Sequence, residues 1–91
     1  MNIGIVYLIQ PGHLIGLNRY KIGVLKDPDE LLKKRYFKDA RIIYTLQSNN
    51  IYETKKLIIH QLKRRFKLIS GYNYFEGNEI DLIQLFAEFE A

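Results

Sequence analysis

Between residues 51 and 67 the segment IYETKKLIIHQLKRRFK sets six cations, Lys55, Lys56, Lys63, Arg64, Arg65 and Lys67, against one acid, Glu53. That excess is larger than solubility requires. Ammonium and guanidinium groups gathered on one element neutralise phosphates and release condensed counterions, so the pattern suggests capture of a polyanion. Lys33, Lys34 and Arg35 form a second basic stretch upstream that could complete a groove. Tyr36, Tyr52 and Tyr72 could stack on unpaired bases, with core or rim packing an equal reading for each. Nothing in the segment resembles a base-reading recognition helix, so no sequence preference follows.

Other chemistries find less support. There is no cysteine, and neither His13 nor His60 has a second histidine three or four residues away, so no zinc site is expected. His60 has polar neighbours on its helical face and reads as a surface residue, and His13 reads as a solvated turn residue.

Charge is unevenly placed along the 91 residues. All 14 Lys and Arg fall in residues 1–67 with 5 acids, giving that part +9, and the last 24 residues hold 5 acids and no base. Such asymmetry suggests one face turned to a polyanion and one acidic side. With 47% hydrophobic and 26% charged residues, the composition is that of a single globular domain spanning 1–91. No apolar run approaches the roughly 18 residues that cross a membrane, and the opening MNIGIVYLI lacks a basic leader, so an intracellular location, cytoplasmic or nuclear, is expected. Abundant Ile, Lys, Asn and Tyr suggests an AT-rich genome, and hence a virus-infected cell as one setting.

The elements that must position these groups follow from patterning. NIGIVYLIQ predicts a strand over about 3–10 and RYKIGVL a returning strand over 19–25, with PGHLIGLN as the loop between them. Asp27 as cap and Pro28 at the first helical position predict a short helix over 28–36. ARIIYTLQ predicts a third strand over 40–47, and SNN caps a helix over 51–67. On that helix Ile51, Ile58, Ile59, Leu62 and Phe66 share an apolar side, opposite Glu53, Lys56, His60, Arg64 and Lys67. After a turn and a short extended piece in ISGYNYFEGN, Asn78 caps a last helix over 79–89, with Ile80, Ile83, Phe86 and Phe89 inward. The order β-β-α-β-α-(β)-α predicts an α/β (α+β) fold, a small three-stranded antiparallel sheet flanked by helices.

A strand ending in VYLI, a second ending in YKIG, KDPDELLK at a helix start and a later GYNYF resemble, in that order, the GIY-YIG nuclease superfamily, especially its short viral and phage DNA-binding branch. The resemblance covers about residues 4–76 and leaves the acidic last helix, 78–91, outside. It implies a frame for metal-assisted hydrolysis of a DNA phosphodiester. Tyr7 would match the tyrosine that orients or deprotonates the attacking water, although Tyr7 and Tyr20 also read simply as strand aromatics. Strict spacing before Gly23 assigns the second tyrosine's place to Lys21, while Tyr20 sits one residue earlier. Strand side chains alternate faces, so only one of the two can point into such a site. Asn73 matches the family's asparagine.

Two charged members are replaced. Leu31 stands where the family has its phosphate-binding arginine, eight residues after Gly23, and Arg35 follows one turn later. Lys56 stands where the family has its Mg²⁺-binding glutamate, and Glu53 is the only acid in that helix. Leucine cannot clamp a phosphate, and an ammonium repels a metal ion. The resemblance therefore implies a nucleic-acid-binding protein, DNA first, with impaired catalysis and no cofactor. Lys21, Lys33, Lys34, Arg35, Lys56, His60, Lys63, Arg64 and Lys67 are its expected contacts. The alternatives are an Mg²⁺-dependent endonuclease using Tyr7, Arg35 and Glu53 in shifted geometry, and a viral protein-interaction module on the same fold. The acidic last helix could pack across the sheet, shield the basic surface, or meet a second copy or another protein.

Overall fold

Seven residues of the first strand, GIVYLIQ, are buried without exception, which a half-solvated strand would not show. The reason is visible in the computed structural model, which describes residues 2–71 and 73–90; the side chains of Leu32, Arg35 and Tyr36, like Met1, Tyr72 and Ala91, lie outside the described residues. Strand β1 (Gly4–Gln10) is internal to the sheet and has helices over both of its faces. It pairs on one side with β2 (Arg19–Leu25) and on the other with β3 (Arg41–Ser48), both antiparallel. The hairpin of β4 (Lys67–Ser70) and β5 (Tyr74–Glu76) extends the sheet beyond β2, giving the order β3-β1-β2-β5-β4.

The fold is α+β, with five antiparallel strands where the sequence predicts three. The extended piece expected near residue 75 is β5, and β4 occupies the stretch where patterning ends the helix at residue 67 and begins a turn at Ile69. That helix, α3 (Ile51–Arg65), stops two residues short of its expected end because Phe66 is extended. Pairing of Lys67 and Leu68 with Glu76 and Phe75 then takes over. Between the two strands the chain turns at Gly71, whose φ of 54° is left-handed and suits a residue without Cβ.

Strand alternation sorts the side chains into two cores. Ile5, Tyr7 and Ile9 point to one face, where Leu25 and Phe37 join them. Val6 and Leu8 point to the other, meeting Tyr20 and Ile22, three fully buried residues of α3 (Ile51, Ile58, Leu62), and α4 (Glu79–Ala87). The Tyr7 face is covered by two single turns, α1 (Glu30–Lys33) and α2 (Arg35–Lys38), rather than one helix over 28–36. Lys34 between them is extended, with ψ 128°. Asp27 does not cap the helix directly. Its carboxylate accepts from the Asp29 amide at 3.0 Å, and the helix begins at Glu30.

Helix α4 is rotated from its expected phase. Leu82, Leu85 and Phe86 are fully buried, whereas Ile80 is 64% exposed. Asn78 caps the helix as expected, accepting from the Ile80 and Asp81 amides, and it is Glu79 that turns to the sheet. Three buried apolar side chains contribute about 1.5–3 kcal/mol each. The exposed pair Arg65–Glu88, 3.6 Å apart, belongs to a class worth about 0–1 kcal/mol. Burial, not charge, therefore holds α4 across the sheet. Among the described residues no helix is long and apolar enough to cross a membrane.

Gly23 faces Tyr7 directly across the β1–β2 pair, and a Cβ there would run into the phenol ring. Gly23→Ala is expected to destabilise the protein by about 1–3 kcal/mol in urea unfolding. The same change should be much less damaging beside Tyr7→Ala, because the obstructing ring is then gone. Equal effects in both backgrounds would contradict the close approach.

Candidate nucleic-acid interface

Helix α3 starts on Asn50, whose side-chain oxygen accepts from the Glu53 amide at 3.3 Å while its amide reaches the Glu53 carboxylate at 3.4 Å. This reciprocal cap fixes the first turn. With Ile51, Ile58 and Leu62 directed at the sheet, the helical period places Tyr52, Lys56, Ile59 and Lys63 in one row along the helix flank, with Ile59 also packing against the core. Lys55 borders the row on one side and His60 on the other, and together these residues line a groove along the helix. Tyr52 and Leu57 are 51% and 52% exposed there. Burial pushes the Lys55 ammonium below its ordinary pKa, and the like charge of Lys21 adds to the effect. Lys63, Arg64 and Arg65 fill the last turn, where cations are favoured by the helix dipole.

The positions suggested by the nuclease resemblance distribute differently. Tyr7 is 6% exposed, its ring edge-on to Phe37 with centroids 5.3 Å apart. Lys21 opposes Ile9 and so shares the Tyr7 face, while Tyr20 belongs to the opposite core. The ambiguity between Tyr20 and Lys21 thus resolves by register: Tyr20 is not beside Tyr7. Lys21 places its ammonium 5.8 Å from the centre of the Tyr74 ring. Asn73 is half-buried next to β2, its carbonyl accepting from the Ile22 amide at 2.8 Å. Leu31 packs against the Tyr7 core. The extended Lys34 separates Leu31 from Arg35, so the two do not lie one turn apart on a continuous helix. The Arg35, Tyr36 and Tyr72 side chains lie outside the described residues. Lys33 is exposed, and Lys34 pairs with Glu30 at 3.0 Å. His60, Arg64 and Lys67 are exposed.

These residues do not fit an Mg²⁺ centre at Tyr7. Glu53 is engaged in the α3 cap, and α3 packs on the sheet face opposite the Tyr7 ring, so β1 itself stands between them. Among the described residues no three His, Asp or Glu side chains converge as metal ligands.

A polar cluster that the sequence reading did not single out lies at the far end of β1. Gln10 is buried, and its amide donates to the carbonyls of Leu14 and Leu17, holding the β1–β2 loop. Its oxygen accepts from Arg41, and Arg41 in turn pairs with Glu79 at 3.0 Å. Glu79 also accepts from the Tyr20 hydroxyl at 3.0 Å. The Arg41 guanidinium holds the Glu79 carboxyl below the usual carboxylate range, and burial together with Glu79 raises the Tyr20 hydroxyl. The available signals were a polar residue closing an apolar strand and an acid in a helix's first turn. Both are common, and only the strand register unites them.

Compared with protein-family models, curated proteins and solved structures, the chain matches none.

A carboxylate with a lowered folded pKa stabilises the protein above its unfolded pKa and loses that contribution as pH falls through the folded value. Glu79→Gln is therefore expected to lower the urea midpoint at pH 7. The gap to the native protein should close as pH drops below the ordinary carboxylate range. A gap independent of pH would show that the carboxylate charge contributes nothing.

Proposed function

We propose that this chain is a nucleic-acid-binding module that grips the phosphate backbone with the outer face of α3. The observation that carries this reading is the row of Lys55, Lys56 and Lys63 with His60 along one groove, on a helix whose other side is fixed into the core. Lysine suits such contact because its compact charge on a flexible stem needs no fixed partner geometry. The reading retains a frame of the GIY-YIG nuclease kind with hydrolysis impaired. In its favour, a leucine packs against the Tyr7 core where a phosphate-clamping arginine would be needed, and Lys56 points into the outer groove. DNA is the first expected partner.

Binding of a labelled DNA oligonucleotide, followed by anisotropy, should weaken steeply between 50 and 200 mM salt. Each of Lys56→Ala and Lys63→Ala should reduce the log–log salt slope by about 1. Salt-insensitive binding, or none at low salt, would remove the reading. Plasmid nicking that requires Mg²⁺ or Mn²⁺ and is lost in Tyr7→Phe would overturn the impaired-hydrolysis part alone.

A further inference from the structure

The α3 groove mixes cationic side chains, Lys55, Lys56 and Lys63, with the apolar surfaces of Tyr52, Leu57 and Ile59. Tyr52 and Leu57 each leave about half their surface in water, and Ile59 is only half-buried, all three lining the same groove as Lys55, Lys56 and Lys63. Scattered exposed apolar residues need no explanation. Tyr52 and Ile59 in one row of the helix, interleaved with the ammonium groups of Lys56 and Lys63, form a mixed surface that calls for a mixed ligand.

A duplex turns its phosphates outward and keeps its bases stacked within. Against this groove it would satisfy the lysines and leave the Tyr52 ring and the aliphatic side chains facing sugar and phosphate. Reading base edges from a helix uses Arg, Lys, Asn or Gln along the presented row, and here only the two lysines belong to that set, alternating with an aromatic and an aliphatic side chain. The row here is Tyr52, Lys56, Ile59 and Lys63. An unpaired strand offers a π-face at every base as well as phosphates, and aromatic rings set in a positive groove are the known means of holding it. From Tyr52 to Lys63 the helix rises by roughly 16 Å, enough for a few nucleotides laid along its axis.

Building on the nucleic-acid reading above, we infer that this flank of α3 is a seat for single-stranded nucleic acid, with a base stacked on Tyr52 and phosphates against Lys55, Lys56 and Lys63. Stacking and phosphate contact are common to DNA and RNA, so the sugar is left to the experiment.

Anisotropy titrations of the full chain at fixed salt would use oligo-dT, oligo-U and a duplex of equal length. Either single strand should bind tighter than the duplex. Tyr52→Ala should weaken single-strand binding by about tenfold, Tyr52→Phe should retain it, and duplex binding should change little. The chain has no tryptophan, so Tyr52→Trp supplies a unique fluorophore whose emission a stacked base should quench. A duplex bound as tightly as the single strands, or a Tyr52→Ala protein of native affinity and an unquenched Tyr52→Trp, would overturn the single-strand inference. In that event a slope that still depends on Lys56 and Lys63 would leave the phosphate-binding reading standing. No salt-dependent binding to any of the three would overturn both.

Discussion

Burial of β1 on both faces governs the placement of every polar group near it. A strand enclosed by helices on two sides can carry a hydroxyl or an amide only where a partner waits, since an unsatisfied buried donor is costly. The Tyr7 ring stands edge-on to Phe37, and Gly23 leaves room for it. Gln10, at the strand's end, has all its bonds supplied by the adjoining loop and by Arg41. The same alternation places α3 on the face that Tyr7 does not occupy. Because α3 seats Ile51, Ile58 and Leu62 there, its lysine row is held along the flank of the helix, away from the buried stripe.

Charge is sorted by residue type as well as by position. Arg19, Arg41 and Arg65 meet the C-terminal carboxylates of Glu76, Glu79 and Glu88. The acidic end of the chain therefore engages arginines whose planar forks suit fixed carboxylate geometry. Lysines occupy the α3 groove, where a ligand's charges must be met at variable positions. The asymmetry between the two parts of the sequence is thus partly internal. Its acidic members cap the sheet's end and one flank of α3, and they leave the lysine row of α3 cationic.

Much of this arrangement was legible beforehand. Strands β1 to β3, the Asn50 and Asn78 caps and the basic face of α3 follow from local pattern, and each appears within a residue or two of its expected bounds. Strand β4 was not legible, because KRRFKLIS contains no stop signal and its strand state depends on pairing with a segment several residues later. The phase of α4 was missed for a related reason. Four apolar residues at helical spacing fit two rotations, and the observed one buries Leu82 and Leu85 with Phe86 and sets Glu79 against Arg41 and Tyr20, partners that lie far away in the sequence. Which of Tyr20 and Lys21 accompanies Tyr7 likewise required the β1–β2 register. Ile59 packs against the core as its place on the apolar side of the wheel predicts, and it also lines the groove, a double role that the wheel does not reveal.

The bonding around Gln10 also has an order along the chain. Both donors of its amide are satisfied within seven residues, by carbonyls of the loop that follows, inside the N-terminal hairpin. The acceptor is met by Arg41, and Arg41 by Glu79. The partners therefore lie at increasing sequence separation, and the short-range closures cost less loop entropy than the long-range ones. Glu79 is the last member in chain order, and it ties the first turn of the terminal helix to Arg41 and Tyr20 at the end of the sheet.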